Sequence, residues 1–201
     1  MTDEELEEYV NDIIKKHDYY DRIKDRQEVL RFGKAKNSKL LDIGTGYLSI
    51  LAAKEFNCRV TSIDLLKEKL KEVQQEARKE GVSKEIRFVE ANAAKLPFSD
   101  SSFDISVSYG ALHHNKNNYR SIIGEMFRVS KKRIVITELT KCGVHLFDRY
   151  LYPKEDHKGM ALDLEEIKKV LQNYTNKIDV FERKCMATFV CHKQQRRKRK
   201  K

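Results

Sequence analysis

The sequence predicts an α/β fold: a mostly parallel sheet with helices on both faces and an antiparallel strand at its C-terminal end. Three observations predict it. Short apolar runs such as Leu40-Leu41-Asp42-Ile43 and Arg133-Ile134-Val135-Ile136 read as buried strands, and between such runs apolar residues recur at helical spacing. At the first strand-to-helix junction stands Gly44-Thr45-Gly46. A glycine pair there lets the backbone turn with positive φ, lets a ligand approach the main chain, and is followed by a helix start with unpaired N–H groups. Finally, Lys177–Phe181 and Met186–Cys191 are strand-like and joined by a short polar turn, as in a hairpin.

The chain has 201 residues, enough for one domain with a substantial core. Charged residues make up 36% of it, above the roughly 25% of an average soluble domain. The formal net charge of +10 is concentrated at the end: Lys193, Arg196, Arg197, Lys198, Arg199, Lys200 and Lys201 are seven cations with no acid among them, so the rest is nearly balanced. No run approaches the roughly 18 to 20 apolar residues of a membrane span, and the acidic start Met1-Thr2-Asp3-Glu4-Glu5 is the opposite of a secretory signal. The expectation is a soluble, cytoplasmic protein with no membrane partner. Cys58, Cys142, Cys185 and Cys191 form no Cys-x-x-Cys pair, which favours reduced, buried thiols and no metal.

In chain order, residues 3–16 place Leu6, Tyr9, Val10, Ile13 and Ile14 on one face of an amphipathic helix, and a second helical piece spans Tyr20 to Phe32. Residues 1–35 read as a helical cover, in which Tyr19 and Tyr20 either face a substrate or pack between helices. Gly33 to Lys39 is a polar linker into strand one. After the glycine turn, Leu48, Leu51, Ala52 and Phe56 mark a helix, Arg59–Ile63 a second strand ending at Asp64, and Leu66, Leu70, Val73 and Ala77 the stripe of the next helix.

The neighbours of the glycines decide which ligand the turn suits. A dinucleotide fingerprint wants a third glycine where Ser49 stands, and it has no use for an acid at Asp42. Asp42 can hold the turn in shape and accept hydrogen bonds from an ammonium group. Asp42-x-Gly44-x-Gly46 after an apolar strand resembles motif I of the class I S-adenosylmethionine (SAM) dependent methyltransferases. The resemblance implies SAM as cofactor, with Asp42, Gly44, Thr45 and Gly46 at its amino-acid end. Asp64 lies 20 residues beyond Gly44, where a ribose hydroxyl pair is held in βαβ units; the competing role is a helix N-cap. Leu65 would then pack on the adenine.

Strand three is Glu85 to Glu90. The stretch Asn92-Ala93-x-x-Leu96-Pro97-Phe98 through Phe103-Asp104 resembles a segment of the small-molecule methyltransferases related to the ubiquinone and menaquinone biosynthesis enzymes (methyltransferase type 11). That resemblance implies a Rossmann-like sheet of seven strands over residues 36–192. Asn92 departs from the family's usual Asp, yet its side-chain carbonyl can still accept from the adenine amino group, with Ala93 beside it. Strand four, Phe103 to Ser108, delivers Tyr109-Gly110-Ala111-Leu112-His113-His114 to the carboxyl edge of the sheet, and Ser108 joins the cofactor-binding candidates. Leu-His-His after strand four is frequent in the same family. Tyr109, His113 and His114 would border the transferring methyl, with an imidazole as general base or, alternatively, as a hydrogen-bonded shaper of the loop.

Ile122, Ile123, Met126, Phe127 and Val129 form the face of the next helix, and Arg133–Ile136 is strand five, ending near Thr137-Glu138. Where the family has Lys-Pro-Gly-Gly before this strand, the chain has Ser130-Lys131-Lys132-Arg133. Residues 140–161 fall where the family inserts its substrate-recognition element. Asp163 with Glu166 three residues on reads as a capping box opening a helix with Leu164, Ile167, Leu171 and Tyr174. Residues 193–201 read as a disordered basic tail.

The leading expectation is a SAM-dependent methyltransferase acting on a small-molecule acceptor, of a kind the sequence does not name, and the oligomeric state is not fixed either. The alternatives are a methyltransferase acting on RNA or a ribosome-associated protein captured by Lys193 to Lys201, and a SAM-binding module without catalysis. A dinucleotide oxidoreductase is disfavoured by Asp42 and Ser49.

Overall fold

The computed structural model describes residues 22–151, 154 and 156–193, together with Thr2, Glu5 and Glu8. The rest of the expected 3–16 helix, Tyr19, Tyr20, Tyr152 and residues 194–201 lie outside the described residues. Helix α1 (Arg22–Phe32) leads into β1 (Lys39–Ile43), α2 (Tyr47–Phe56), β2 (Arg59–Asp64), α3 (Lys67–Lys79) and β3 (Ile86–Glu90). Then come β4 (Phe103–Tyr109), a 3-10 turn at His113–Asn115, α4 (Tyr119–Val129) and β5 (Ser130–Leu139). The remainder is α5 (Lys141–Leu146), a wide turn at Phe147–Leu151, α6 (His157–Met160), α7 (Leu164–Gln172), β6 (Ile178–Glu182) and β7 (Met186–His192).

The strands form one seven-stranded Rossmann-like sheet in the order β3-β2-β1-β4-β5-β7-β6. Pairs from β3 through β5 are parallel, while β7 runs antiparallel to both β5 and β6, the latter as the expected hairpin. Strand order reverses between β1 and β4, where Ile43 sits between Ile63 and Ser108. A crevice opens at such a reversal because the crossovers leave on opposite sides. That crevice positions the site.

Alternation along the strands feeds two cores. On one face Leu41, Ile43, Ile134 and Ile136 pack on Ile122, Ile123 and Met126 of α4 and on Ile167 and Leu171 of α7. On the other, Leu40, Val60, Ile105, Val107 and Val135 meet Val29 and Leu30 of α1 and Leu51 and Ala52 of α2. Burial on both faces explains the nearly unbroken apolar runs of the central strands. Each such side chain contributes about 1.5–3 kcal/mol on burial. All four cysteines are buried free thiols, and burial pushes Cys191 up to about 12.

Four local expectations need correction. Strand β5 is 10 residues long, because its antiparallel pairing with β7 runs from Arg133 opposite His192 to Leu139 opposite Met186. Leu66 precedes α3 and is 52% exposed, so it is not part of that helix's stripe. Tyr174 lies beyond α7 and is stacked on Phe127 at 4.5 Å between ring centroids. Asp163 does cap α7, accepting from the Glu165 N–H at 2.8 Å, but Glu166 does not complete a box and instead pairs with Arg120 and Lys169.

Candidate active site at the carboxyl edge of the sheet

A cavity of about 380 Å³ opens at the carboxyl ends of β1, β2 and β4. Its floor is the turn after β1. Gly44 has φ +82°, and a Cβ there would stand 2.7 Å from the Ala111 Cβ, so both conformation and space require glycine. Gly46 differs: its φ of −179° is ordinary extended backbone, and an added Cβ meets no atom within 4 Å. Only the first of the two glycines uses positive φ. The second leaves the backbone approachable at the start of α2, where N–H groups lack helical partners.

Asp42 stands behind this turn rather than on the cavity wall. It is 1% exposed and accepts from the Ser49 Oγ at 2.6 Å. Burial pushes its carboxyl up to about 7, opposed by the Ser49 hydrogen bond and the positive charge of Arg26. Ser49, read from the sequence as a missing glycine, is thus the partner that holds Asp42 against α2.

Asp64 closes β2 and lines the cavity. Its Oδ2 accepts from the Thr45 N–H at 3.2 Å and its Oδ1 from the Leu66 N–H at 2.9 Å, tying the two turns together. It does not cap α3, whose N-cap is Leu66, so the helix-cap alternative is set aside. Thr45 accepts from the Ser62 Oγ at 2.9 Å. Leu65 is 55% exposed on the cavity wall, and Ala93 lines it as well. Asn92 is exposed, and its Oδ1 accepts from the Ala94 N–H at 2.8 Å, which leaves that oxygen one further lone pair. Ser108 is fully buried in β4, its Oγ has no hydrogen-bond partner, and it does not reach the cavity lining.

The opposite wall comes from the stretch after β4. Tyr109 and His114 line the cavity. Tyr109, expected beside the methyl, donates its hydroxyl to the buried Asp25 at 2.6 Å; Arg183 pairs with the same carboxylate at 2.7 Å, and the Arg26 guanidinium lies 4.6 Å from the Tyr109 ring centre. His113 is 3% exposed and its Nδ1 lies 2.7 Å from Glu138 Oε2, while the Leu112 N–H donates to Glu138 Oε1 at 2.8 Å. An ionised Glu138 can only accept, so in the neutral ring Nδ1 donates to it and the lone pair lies on Nε2. That Nε2 is buried with no partner. The Cε1 corner of the ring is 3.8 Å from where a Gly110 Cβ would be, and Gly110 lines the cavity.

His114 packs on His113 at 4.1 Å between ring centroids. Behind them, Asp148 accepts from both the N–H and the Nδ1 of His157, at 2.7 and 2.8 Å. These contacts hold Asp148's carboxyl below the usual range against the opposing effect of burial. Asp25, Arg26, Ser49, Glu138, Asp148 and His157 were not singled out for these roles by sequence reasoning. Glu138 alone offered a signal, an acid closing an apolar strand at the carboxyl edge.

Residues 41–133 match the methyltransferase-domain family. The chain is 32% identical over 119 residues to the ubiquinone/menaquinone biosynthesis C-methyltransferase UbiE of Allorhizobium ampelinum, covering 56% of this chain and 45% of that one. It therefore spans about half the length of the curated relatives it matches. Among solved structures, a SAM dependent methyltransferase from Aquifex aeolicus superposes with a TM-score of 0.67 at 21% identity, covering 89% of this chain and 96% of that one. The magnesium protoporphyrin IX methyltransferase ChlM of Synechocystis, solved with bound SAH, does so with a TM-score of 0.63 at 17% identity, covering 86% and 85%. With a glycine turn forced by Ala111, an acid at the end of β2 and this fold, the chain is similar to the class I SAM-dependent methyltransferases, the methyltransferase-domain match covering residues 41–133. In sequence it is similar to the UbiE enzymes over about half its length, and SAM is the cofactor named for the solved neighbours.

Proposed function

We propose that the protein transfers a methyl group from SAM to a small-molecule acceptor that carries a removable proton. The observation that carries this reading is His113: a buried imidazole whose Nδ1 is held by Glu138 and whose Nε2 has no partner, beside the cavity wall. A buried acceptor atom without a donor costs about 1–3 kcal/mol, a cost relieved when a substrate hydroxyl or a water donates to it.

When bound, SAM supplies a methyl group on a sulfonium, already activated for in-line displacement. What the chain adds is binding, orientation and proton removal. Gly44 and Gly46 let the amino-acid end lie against the backbone, with Asp42 and Thr45 beneath it. Asp64 accepts from the ribose hydroxyls, and Leu65, Asn92 and Ala93 flank the adenine. Ser108 serves only indirectly, from within β4. His113 accepts the acceptor's proton at Nε2, Glu138 stabilises the imidazolium that results, and His114 and Tyr109 confine the acceptor. Alignment of this kind lowers such barriers by roughly 7–11 kcal/mol, and a positioned base adds about 10²–10⁴-fold.

The relatives named for ubiquinone and menaquinone biosynthesis support a small-molecule acceptor. The test is methyl transfer from labelled SAM to a panel of phenolic, enolic and quinol acceptors, followed by mass spectrometry of the product. Turnover of one class with formation of S-adenosylhomocysteine supports the reading. Binding of SAM without turnover on any of them contradicts it.

A further inference from the structure

The amino edge of the sheet, opposite the methyl-transfer cavity, carries a second concave surface. A cleft of about 620 Å³ is lined there by Lys39 and Arg59, which begin β1 and β2, and by Lys84 and Arg87 at the start of β3. All four side chains are exposed. Among the described residues, Arg59, Lys84 and Arg87 make no ion pair and no side-chain hydrogen bond. Glu85 is the acid on the cleft wall. Other acids of this edge are already engaged: Asp104 with Lys132 at 3.0 Å, Asp100 with Arg128 at 3.0 Å and Glu80 with Lys54 at 2.6 Å. The cleft is thus a concentration of uncompensated positive charge. Phe98 adds a half-buried ring, held edge-on by Phe103 at 5.1 Å.

Topology brings a second body of charge to the same edge. Because β7 runs antiparallel to β5, it ends where the parallel strands begin. Lys193 is pinned there: its N–H donates to the Lys132 carbonyl at 2.9 Å, and its Nζ to the Phe127 and Ser130 carbonyls at 2.6 and 2.8 Å. The sequence then continues with Arg196, Arg197, Lys198, Arg199, Lys200 and Lys201.

We propose that this edge is a docking surface for a single-stranded nucleic acid, gripped through its phosphates by Arg59, Lys84 and Arg87. An anionic membrane is the less fitting polyanion, because the surface is concave and none of the exposed large apolar side chains, Ile23, Leu65, Leu66, Tyr174 and Val180, lines it. Unpaired cations in a groove with an aromatic ring fit a strand of phosphates with bases free to stack. The bound strand is a partner and not the methyl acceptor: β1 alone separates the two edges by about 17 Å. The proposal is independent of which small molecule is methylated.

The test is fluorescence anisotropy of a labelled oligouridylate with the full chain across a salt series. Binding is expected at about 50 mM salt and should fall steeply as salt rises. The triple variant Arg59→Gln/Lys84→Gln/Arg87→Gln should bind at least about 10-fold more weakly, with the slope of log K against log salt shallower by about 2, at about 0.7 per lost phosphate contact. Its SAM titration should match the wild type, which checks the fold. A chain ending at Lys193 should lose part of the affinity and keep the sensitivity to the triple substitution. No RNA binding at low salt overturns the proposal. So does an unchanged triple variant, which would leave the tail as the whole of the binding, or binding of phosphatidylserine vesicles in place of RNA.

Discussion

The two walls of the cavity are built differently. The β1–β3 wall is made of turns between consecutive elements, with Gly44, Asp64 and Ala93 each at the end of its own strand. The β4–β5 wall is made by contacts between distant segments: Glu138 reaches His113 across 25 residues and Asp25 reaches Tyr109 across 84. The first wall suits a cofactor whose shape never changes. On the function proposed, the second faces the acceptor, except that its Ala111 packs on the Gly44 turn. If this division is right, substitutions on the two walls should separate into cofactor-binding and turnover defects.

The largest effect is expected at His113. His113→Ala should lower kcat by about 10²–10⁴-fold and leave SAM affinity within about threefold. Glu138→Gln should give a smaller loss and an altered pH profile, since an amide can offer Nδ1 either a donor or an acceptor and no longer fixes the tautomer. A pH–rate comparison of the two variants reads this directly. Equal loss of SAM affinity in both would erase the distinction between the walls.

Next come the glycines, which sharpen the comparison within the cofactor wall. Gly44→Ala combines positive φ with a 2.7 Å approach to Ala111, so a stability loss of about 2–4 kcal/mol is expected in denaturant melts, along with loss of SAM binding. Gly46→Ala has neither problem. It should stay within about 0.5 kcal/mol in stability, because the added methyl meets no protein atom within 4 Å, and still bind SAM more weakly if the ligand approaches the backbone there as proposed. Normal SAM affinity in Gly46→Ala would remove the turn from the binding site.

The Asp42 carboxyl gives a pH signature. Its folded value of about 7 lies above the usual carboxylate range, so the native state binds the extra proton. The associated stability is fully present below about pH 4 and is lost as pH rises toward 7. Asp42→Asn should flatten that part of the stability-against-pH curve. An ammonium group near Asp42 favours the ionised form, so SAM affinity should rise with pH up to about 7 in the wild type and not in Asp42→Asn. The smallest effect belongs to Tyr109→Phe. Loss of the Asp25 hydrogen bond should cost about 1–2 kcal/mol of stability, while kcat stays within about threefold.

What the sequence could and could not reveal follows the same division. Strand pattern, hairpin, glycine turn and the Asp64 position depend on local periodicity and fixed offsets, and all were legible. The role of Ser49 was missed because the glycine fingerprint scored it as an absence, whereas Asp42 needs a short hydroxyl one helical turn into α2. Tyr109 was placed beside the transferring methyl from position alone, and only the packing of α1 reveals that Asp25 takes its hydroxyl. Glu138, Asp148 and His157 are joined to the histidine pair by three-dimensional folding that no short window encodes. The cationic edge was equally hidden, since Lys39, Arg59, Lys84 and Arg87 are scattered until parallel strands align their beginnings.

The most direct measurement is calorimetric titration of S-adenosylhomocysteine into wild type, Asp64→Ala and His113→Ala. Binding by the wild type, lost in Asp64→Ala and retained in His113→Ala, is the expected result and would establish the cofactor wall as a unit separate from the proton-removing wall. Absence of binding by the wild type, or equal loss in both variants, would contradict the account.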